Sequence, residues 1–317
     1  MKAVVVTHTD LDGTASAAVL LRYLGYVDKF LFIQPNSLVR AISSINCGSG
    51  CSIYVCDLSP NSSNYTALVT SLHRLVERGA SVWWFDHHVW DDHWLSELRG
   101  IGVKLFVDRS TCATGVVIKY LGVADEVSVK LARAACSLDL WVFDDWLGNF
   151  LARYIGFSKS SNWRRRAVGK LSSGELLDED VLRVVEESVD RELKILSEVL
   201  RKSKVREVCG GIRIAYYYKS VKDHVTSYIA SLQMSRFSAD VALICRKGSA
   251  SLRSRGSVNV REIAKKLGGG GHEYAAGFPI RSRLLHRLLL YLGITNPYTE
   301  WCASKVEKAL CSGEGSS

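Results

Sequence analysis

Apolar residues in this chain come in short runs that stop at polar groups. The run Val82-Trp83-Trp84-Phe85 is the sharpest case, because it ends at once in Asp86-His87-His88. Such a run reads as a buried strand, and the groups at its end bind metal or move protons. The same form recurs along the first half. Residues 2–7 predict a strand running into His8-Thr9-Asp10-Leu11-Asp12-Gly13, and residues 14–24 carry the small, apolar pattern of a helix packed on a sheet. Strands follow at 29–33, 52–56 (ending in Asp57), 81–85 and 103–107. Helices are predicted between them at 35–45 and 61–78, the latter stopped by Gly79, then at 110–121 and 126–139.

Strands alternating with helices of this length predict an α/β fold with a doubly wound, mostly parallel sheet over residues 1–170. Residues 140–170 are helical but irregular, with Trp141, Trp146 and Trp163 expected to pack on the sheet domain and Arg164-Arg165-Arg166 expected on a solvated face. One long amphipathic helix over 178–204 is the core of a helical connector at 171–207. Strand patterns resume at 212–218, 240–245 and 249–253, with helices at 258–267 and 281–292. They predict a smaller α/β domain over 208–294. Residues 295–317 read as a C-terminal tail that starts as a short helix and ends in mobile Gly and Ser.

Composition narrows the class. The chain has 317 residues, 47% of them hydrophobic, enough for two buried cores. No apolar run is long enough to span a membrane, and the N-terminus enters a strand rather than a signal peptide, so a cytoplasmic protein without a membrane partner is expected. Nine cysteines without a CxxC pair read as reduced core residues; Cys47, Cys51 and Cys56 fit no zinc template. Charge is uneven: residues 1–160 hold 14 Lys+Arg against 15 Asp+Glu, and residues 161–317 hold 27 against 17. The basic half suits an anionic substrate, and the strand-end carboxylates of the other half suit cations.

His8, Asp10 and Asp12, then Asp57, then Asp86, His87 and His88, and finally Asp139 stand at four separate strand or helix ends. Brought together, these carboxylates repel, so they face water or are neutralised by cations. The set offers nitrogen and oxygen but no thiolate, which favours Mn²⁺ or Mg²⁺ over structural zinc. Two such ions make a centre for phosphodiester hydrolysis.

In order and spacing, His8-Thr9-Asp10-Leu11-Asp12-Gly13, Asp57, Asp86-His87-His88 and Ala135-Cys136-Ser137-Leu138-Asp139 resemble the four motifs of the DHH phosphoesterase superfamily. Ser251-Leu252-Arg253-Ser254-Arg255 and the stretch from Gly268-Gly269-Gly270-Gly271-His272 to Gly277 resemble the DHH-associated substrate-binding domain of RecJ-type nucleases and nanoRNase/pAp-phosphatase enzymes. The resemblance implies one metal on His8, Asp10 and Asp57, and a second on Asp12, Asp57, His87 and Asp139, with Asp57 as the bridge. It implies that His88 contacts the reacting phosphate and that Asp86 orients the histidines beside it. Gly268 to Gly271 would bring backbone N–H groups to a phosphate, with His272, Arg253 and Arg255 adding side-chain donors. The single residue between His8 and Asp10 is closer to RecJ-like and archaeal members, and no OB-fold is expected after Gly293.

The expected protein is thus a Mn²⁺-dependent phosphodiesterase with its site in the cleft between the domains. Hydroxide activated by two metals would cleave short single-stranded RNA or DNA. The alternatives are a small-nucleotide enzyme acting on pAp or a cyclic dinucleotide, and a non-catalytic nucleic-acid scaffold. The oligomeric state stays open.

Overall fold

The computed structural model describes residues 2–220, 226–256, 258–282 and 284–312. Two compact units divide the chain at Ser188/Val189. In the first, the elements run β1 (Lys2–Thr7), α1 (Leu11–Leu24), β2 (Lys29–Phe32), α2 (Leu38–Ser43), β3 (Cys51–Cys56), α3 (Tyr65–Glu77), β4 (Ser81–Asp86), α4 (Asp92–Gly100) and β5 (Lys104–Val107). Helices α5 (Ala113–Leu121), α6 (Glu126–Asp139), α7 (Trp146–Gly156) and α8 (Ser161–Ser173) follow, and α9 (Glu179–Lys202) carries the chain across the boundary.

The five strands are all parallel in the order β2-β1-β3-β4-β5. This is the α/β doubly wound sheet that the alternating pattern predicts. The chain leaves β1 toward one edge and returns at β3 to build toward the other, so the carboxyl ends of β1 and β3 flank a topological switch point. Val4, Val6, Ile53, Val55, Val82 and Trp84 alternate onto one face and pack with Leu38, Ile42, Leu68, Leu72 and Leu75. A half-polar strand could not sit there, because parallel strands are covered on both faces.

The second unit begins within α9 and continues through β6 (Lys204–Glu207), β7 (Arg213–Tyr218), α10 (Thr226–Phe237), β8 (Val241–Arg246), β9 (Ser249–Ser254), α11 (Val260–Lys266), β10 (Gly270–Gly271), β11 (Ala275–Pro279), α12 (Leu284–Tyr291) and α13 (Asn296–Cys311). Its sheet is mixed, in the order β10-β11-β9-β8-β7-β6, with β7 and β8 parallel.

Four expectations change. The segment from residue 295 is not a tail up to Cys311: Tyr298, Cys302, Ala303 and Val306 of α13 are buried in the second core beside Leu243, Leu252 and Phe278. The Gly/Ser end at 313–317 lies outside the described residues. The boundary falls inside the long helix rather than on either side of a connector, because Val181, Val184 and Val185 are buried near its start. The cysteines are not all reduced: Cys47–Cys51, Cys112–Cys136 and Cys209–Cys311 are disulfides, and Cys56, Cys245 and Cys302 are free and buried. The partners in the last two pairs sit on separate elements that only the fold brings together. Finally, Trp146 is 58% exposed rather than packed on the sheet. No helix among the described residues is long and apolar enough to cross a membrane.

Because Tyr298 is fully buried and donates its hydroxyl to the carbonyl of Arg246, Tyr298→Ala should cost the second unit about 3–5 kcal/mol. Denaturant unfolding followed by far-UV circular dichroism checks this. A loss below about 1 kcal/mol would mean α13 is peripheral.

Candidate metal centre

Every strand that borders the switch point ends in a ligand-bearing turn. After β1, Asp10 caps α1, its Oδ1 accepting from the Gly13 amide at 3.1 Å. Gly13 is required by sterics, since a Cβ there would stand 2.6 Å from the His8 carbonyl oxygen and 2.8 Å from its nitrogen. The turn is drawn tight, and Thr7 Oγ1 donates to the Gly13 carbonyl at 2.7 Å. His8 Nδ1 then lies 2.7 Å from Asp10 Oδ2 and 3.4 Å from Asp57 Oδ2.

Asp57, after β3, holds a left-handed backbone at φ 56°, which costs an L-residue about 1–2 kcal/mol. Its amide donates to the Phe85 carbonyl at 3.0 Å, and Trp84 Nε1 donates to the next residue's carbonyl, Leu58, at 2.9 Å. These bonds fix an otherwise unfavourable conformation. They hold the buried carboxylate between the β1 and β4 turns.

At the end of β4, His87 Nε2 stands 3.5 Å from Asp57 Oδ1, 3.3 Å from Asp139 Oδ2 and 3.8 Å from Asp12 Oδ2. His88 Nδ1 is 2.8 Å from Asp86 Oδ1, and Trp90 Nε1 donates to the other Asp86 oxygen. Asp12 is held by the first turn of α5: its carboxylate accepts from the amides of Ala113 at 2.7 Å and Thr114 at 2.8 Å, and from the Thr114 hydroxyl at 2.6 Å. Asp139 comes from the last turn of α6.

Three sets of ligand-capable atoms each fall within 4.8 Å: His8, Asp10 and Asp57; Asp12, His87 and Asp139; and Asp57, Asp86, His87 and His88. The structure thus gathers all eight acid and imidazole groups singled out in the sequence. The donors are carboxylate and imidazole, the chemistry of a hard divalent cation. Asp57 Oδ2 and Asp139 Oδ2 are buried without an acceptable hydrogen bond, their nearest imidazole nitrogens at 3.4 and 3.3 Å. Buried carboxylate oxygens left in this way fit cations in those positions.

The electrostatics carry the same strain. Burial, with Asp57 and Asp139 nearby, pushes the Asp12 carboxyl well above its ordinary range, and burial together with Asp57 and Asp10 outweighs the histidines in lifting Asp139 to about 6. Burial opposes charge on the imidazoles, but the carboxylates outweigh it. Asp10 and Asp57 raise His8 to about 12, and Asp57, Asp139 and Asp12 raise His87 to about 10. For His88, Asp86 and Asp57 outweigh burial and give about 9. In the absence of metal, protons on the imidazoles supply the positive charge that the carboxylates face.

One positioning residue is absent from the sequence expectations. Arg164 is 4% exposed, its Nε donating to the Thr9 carbonyl at 2.9 Å and its Nη1 to the Lys159 carbonyl at 2.6 Å. This corrects the assignment of the arginine run to a solvated face. Arg164 lies at helical spacing from Ala167, Val168 and Leu171, all buried, a pattern that places it inward while Arg165 and Arg166 face solvent.

In the second unit, Arg253 and His272 are half-buried and Arg255 is exposed. Arg253 Nη1 donates to the Leu252 carbonyl at 2.9 Å, while Arg255 reaches Ser231 Oγ at 2.8 Å. The glycine run has a packing reason. A Cβ on Gly269 would stand 2.0 Å from the Gly277 carbonyl oxygen, and one on Gly271 would stand 2.6 Å from that of Ala275. The amides of Gly268, Gly269 and His272 already donate to Lys265, Ala264 and Ala275. Backbone donation from those three to a phosphate is therefore not available, and with His272 and Ala275 exchanging bonds the alternation of an antiparallel ladder engages the Gly270 amide with Gly277, which leaves the Gly271 amide with the side chains.

Residues 211–290 match the DHHA1 domain family. No curated protein matches the chain. Solved structures of the same fold include the pGpG-specific phosphodiesterase PggH of a Vibrio species, 18% identical over 93% of this chain and 98% of that one, TM-score 0.54. A DHH domain from a member of the s1p family of ribosomal proteins is 13% identical over 94% and 86%, TM-score 0.56. RecJ from Thermus thermophilus in complex with Mn²⁺ is 17% identical over 98% of this chain and 52% of its own, TM-score 0.54.

Metal binding should release protons from His8 and His87 at neutral pH, about two per chain once both sites fill. Calorimetric titration of Mn²⁺ in buffers of different ionisation enthalpy measures the number; none released would contradict the site. The raised His87 pKa also fixes a sign. Its contribution to metal-free stability is full below about 6.5 and disappears as pH rises through about 10. Melting temperature without metal should fall over that window, and added Mn²⁺ should restore it.

Proposed function

We propose, from the premise that the chain belongs to the DHH phosphoesterase superfamily and carries a DHHA1 domain, that it is a metal-dependent phosphodiesterase acting on short single-stranded oligonucleotides. The observation that carries this reading is the convergence of His8, Asp10, Asp12, Asp57, His87 and Asp139 around buried carboxylate oxygens that lack donors. His8, Asp10 and Asp57 would hold one divalent cation, Mn²⁺ or Mg²⁺, and Asp12, Asp57, His87 and Asp139 the other. When bound, such a pair neutralises phosphoryl oxygens and lowers the pKa of water.

The chain's own residues supply the rest. His88, kept cationic by Asp86, presents its imidazolium to a phosphoryl oxygen on which charge develops. Asp86, itself held by Trp90, fixes the ring's orientation. Arg164 keeps the His8–Asp10 turn in place through the Thr9 carbonyl. Arg253, Arg255 and His272, with the Gly271 amide, grip substrate phosphates, and the net positive charge of the second half attracts them. Retention of a metal-capable side chain at every ligand position speaks against a non-catalytic scaffold. A small nucleotide is the second substrate reading, favoured by the likeness in fold to the pGpG-specific Vibrio enzyme.

Asp57→Ala removes the carboxylate shared by both cations, so kcat should fall at least about 10³-fold while KM changes far less. Turnover of short RNA, short DNA, pAp, pGpG and a cyclic dinucleotide with Mn²⁺ present tests both the reading and the substrate. Near wild-type kcat in Asp57→Ala would overturn it.

Arg253→Ala should raise KM about tenfold with little change in kcat, and should make the salt dependence of binding shallower by about one phosphate contact. An unchanged KM and salt slope would assign Arg253 a structural role.

A further inference from the structure

A second group of cations lies in the sheet of the second unit. Lys219 directly follows β7, Arg246 is the last residue of β8, and Thr226 opens α10, the helix that links these two parallel strands. Tyr218 pairs with Cys245, and the Lys219 amide donates to the Cys245 carbonyl at 2.8 Å, so both cations stand at the same carboxyl end. In α/β sheets this is the end at which ligands collect.

Both heads converge on one atom. Lys219 Nζ donates to Thr226 Oγ1 at 3.2 Å, and Arg246 Nη2 donates to the same oxygen. With both lone pairs engaged, the threonine O–H is left as a donor. Lys219 is 3% exposed, and Arg246 Nε is buried with no hydrogen-bond acceptor. No carboxylate among the described residues pairs with Arg246, and burial alone lowers its pKa. The cluster thus joins an ammonium, a guanidinium and a hydroxyl that all donate, and a buried guanidinium N–H lacks its acceptor. Such a set fits a compact anion with several acceptor oxygens.

The location separates it from the groups already discussed. Arg246 pairs with Ser249 and Ala242 with Arg253, while Gly271 pairs with Ala276 next to Leu252. Arg253 therefore sits near the other end of β8, roughly 13 Å away along the strand, and the glycine hairpin lies across the sheet, beyond β9 and β11.

We propose that Lys219, Thr226 and Arg246 form a binding site for a phosphoryl group, distinct from the substrate contacts at Arg253, Arg255 and His272. Inorganic phosphate and the phosphate of a mononucleotide share the required chemistry.

The test is calorimetric titration of the full chain in EDTA, at constant ionic strength, with inorganic phosphate and separately with AMP. Saturable binding is expected. Arg246→Gln should weaken it about tenfold or more, Arg246→Lys should recover part of the loss, and Arg253→Ala should change it less than about twofold. Tighter binding of AMP that also depends on Arg246 identifies a nucleotide; equal affinity identifies phosphate itself. If Arg246→Gln fails to fold by circular dichroism, Thr226→Val, which keeps both charges, should still weaken binding about threefold or more. Three results would overturn the proposal: no binding of either probe, affinity indifferent to both Arg246→Gln and Thr226→Val, or equal loss in Arg253→Ala.

Discussion

Mutual repulsion among Asp10, Asp12, Asp57 and Asp139 is the constraint on which the first unit depends. Two carboxylates about 4 Å apart repel by roughly 4 kcal/mol at an effective dielectric near 20, and several such pairs meet here. The protein offsets this with protonated His8 and His87 and with the amides at the start of α5, and burial, together with the remaining repulsion, still leaves Asp12 and Asp139 pushed upward. A centre arranged in this way is at rest only when it holds positive charge. Protons can supply that charge, and two divalent cations can do so more fully.

Holding mutually repelling groups in place requires rigid supports, and the fold provides them from its most buried parts. Strands β1, β3 and β4 are continuous with the aliphatic core, so the turns at their ends move little. Asp57 is kept in a left-handed conformation by hydrogen bonds from its own amide and to the Leu58 carbonyl. Gly13 allows the β1 turn to close on itself, and Arg164 ties that turn to α8. The supports of Asp57 act on backbone rather than on the ligand atom, which leaves its buried oxygen free to face a cation, whereas Asp12 is held through its carboxylate itself.

Much of this was legible in the sequence because the candidate metal ligands come as short polar groups at the ends of apolar runs, and a strand fixes where its last residue points. The five parallel strands and every acid and imidazole of the centre could be read that way. The rest lies in features that the local pattern does not carry. The β11 strand, Ala275–Pro279, is built of small residues with little strand preference and forms by pairing with β9. Helix α10 has no strong amphipathic face, and α13 starts beyond Gly293, where a tail was expected. Cys112 and Cys136 meet because α5 packs on α6, a contact that their spacing of 24 residues does not encode. Arg164 was hidden among three arginines, although its register with Ala167, Val168 and Leu171 marks the buried one.

The central claim is that the carboxylates at the switch point exist to hold a pair of divalent cations. Anomalous diffraction from crystals grown with Mn²⁺ measures this directly. The account predicts two peaks, one between His8, Asp10 and Asp57 and one between Asp57, Asp12, His87 and Asp139, sharing Asp57. A fully formed site with no peak, or with manganese bound only elsewhere on the chain, would contradict it.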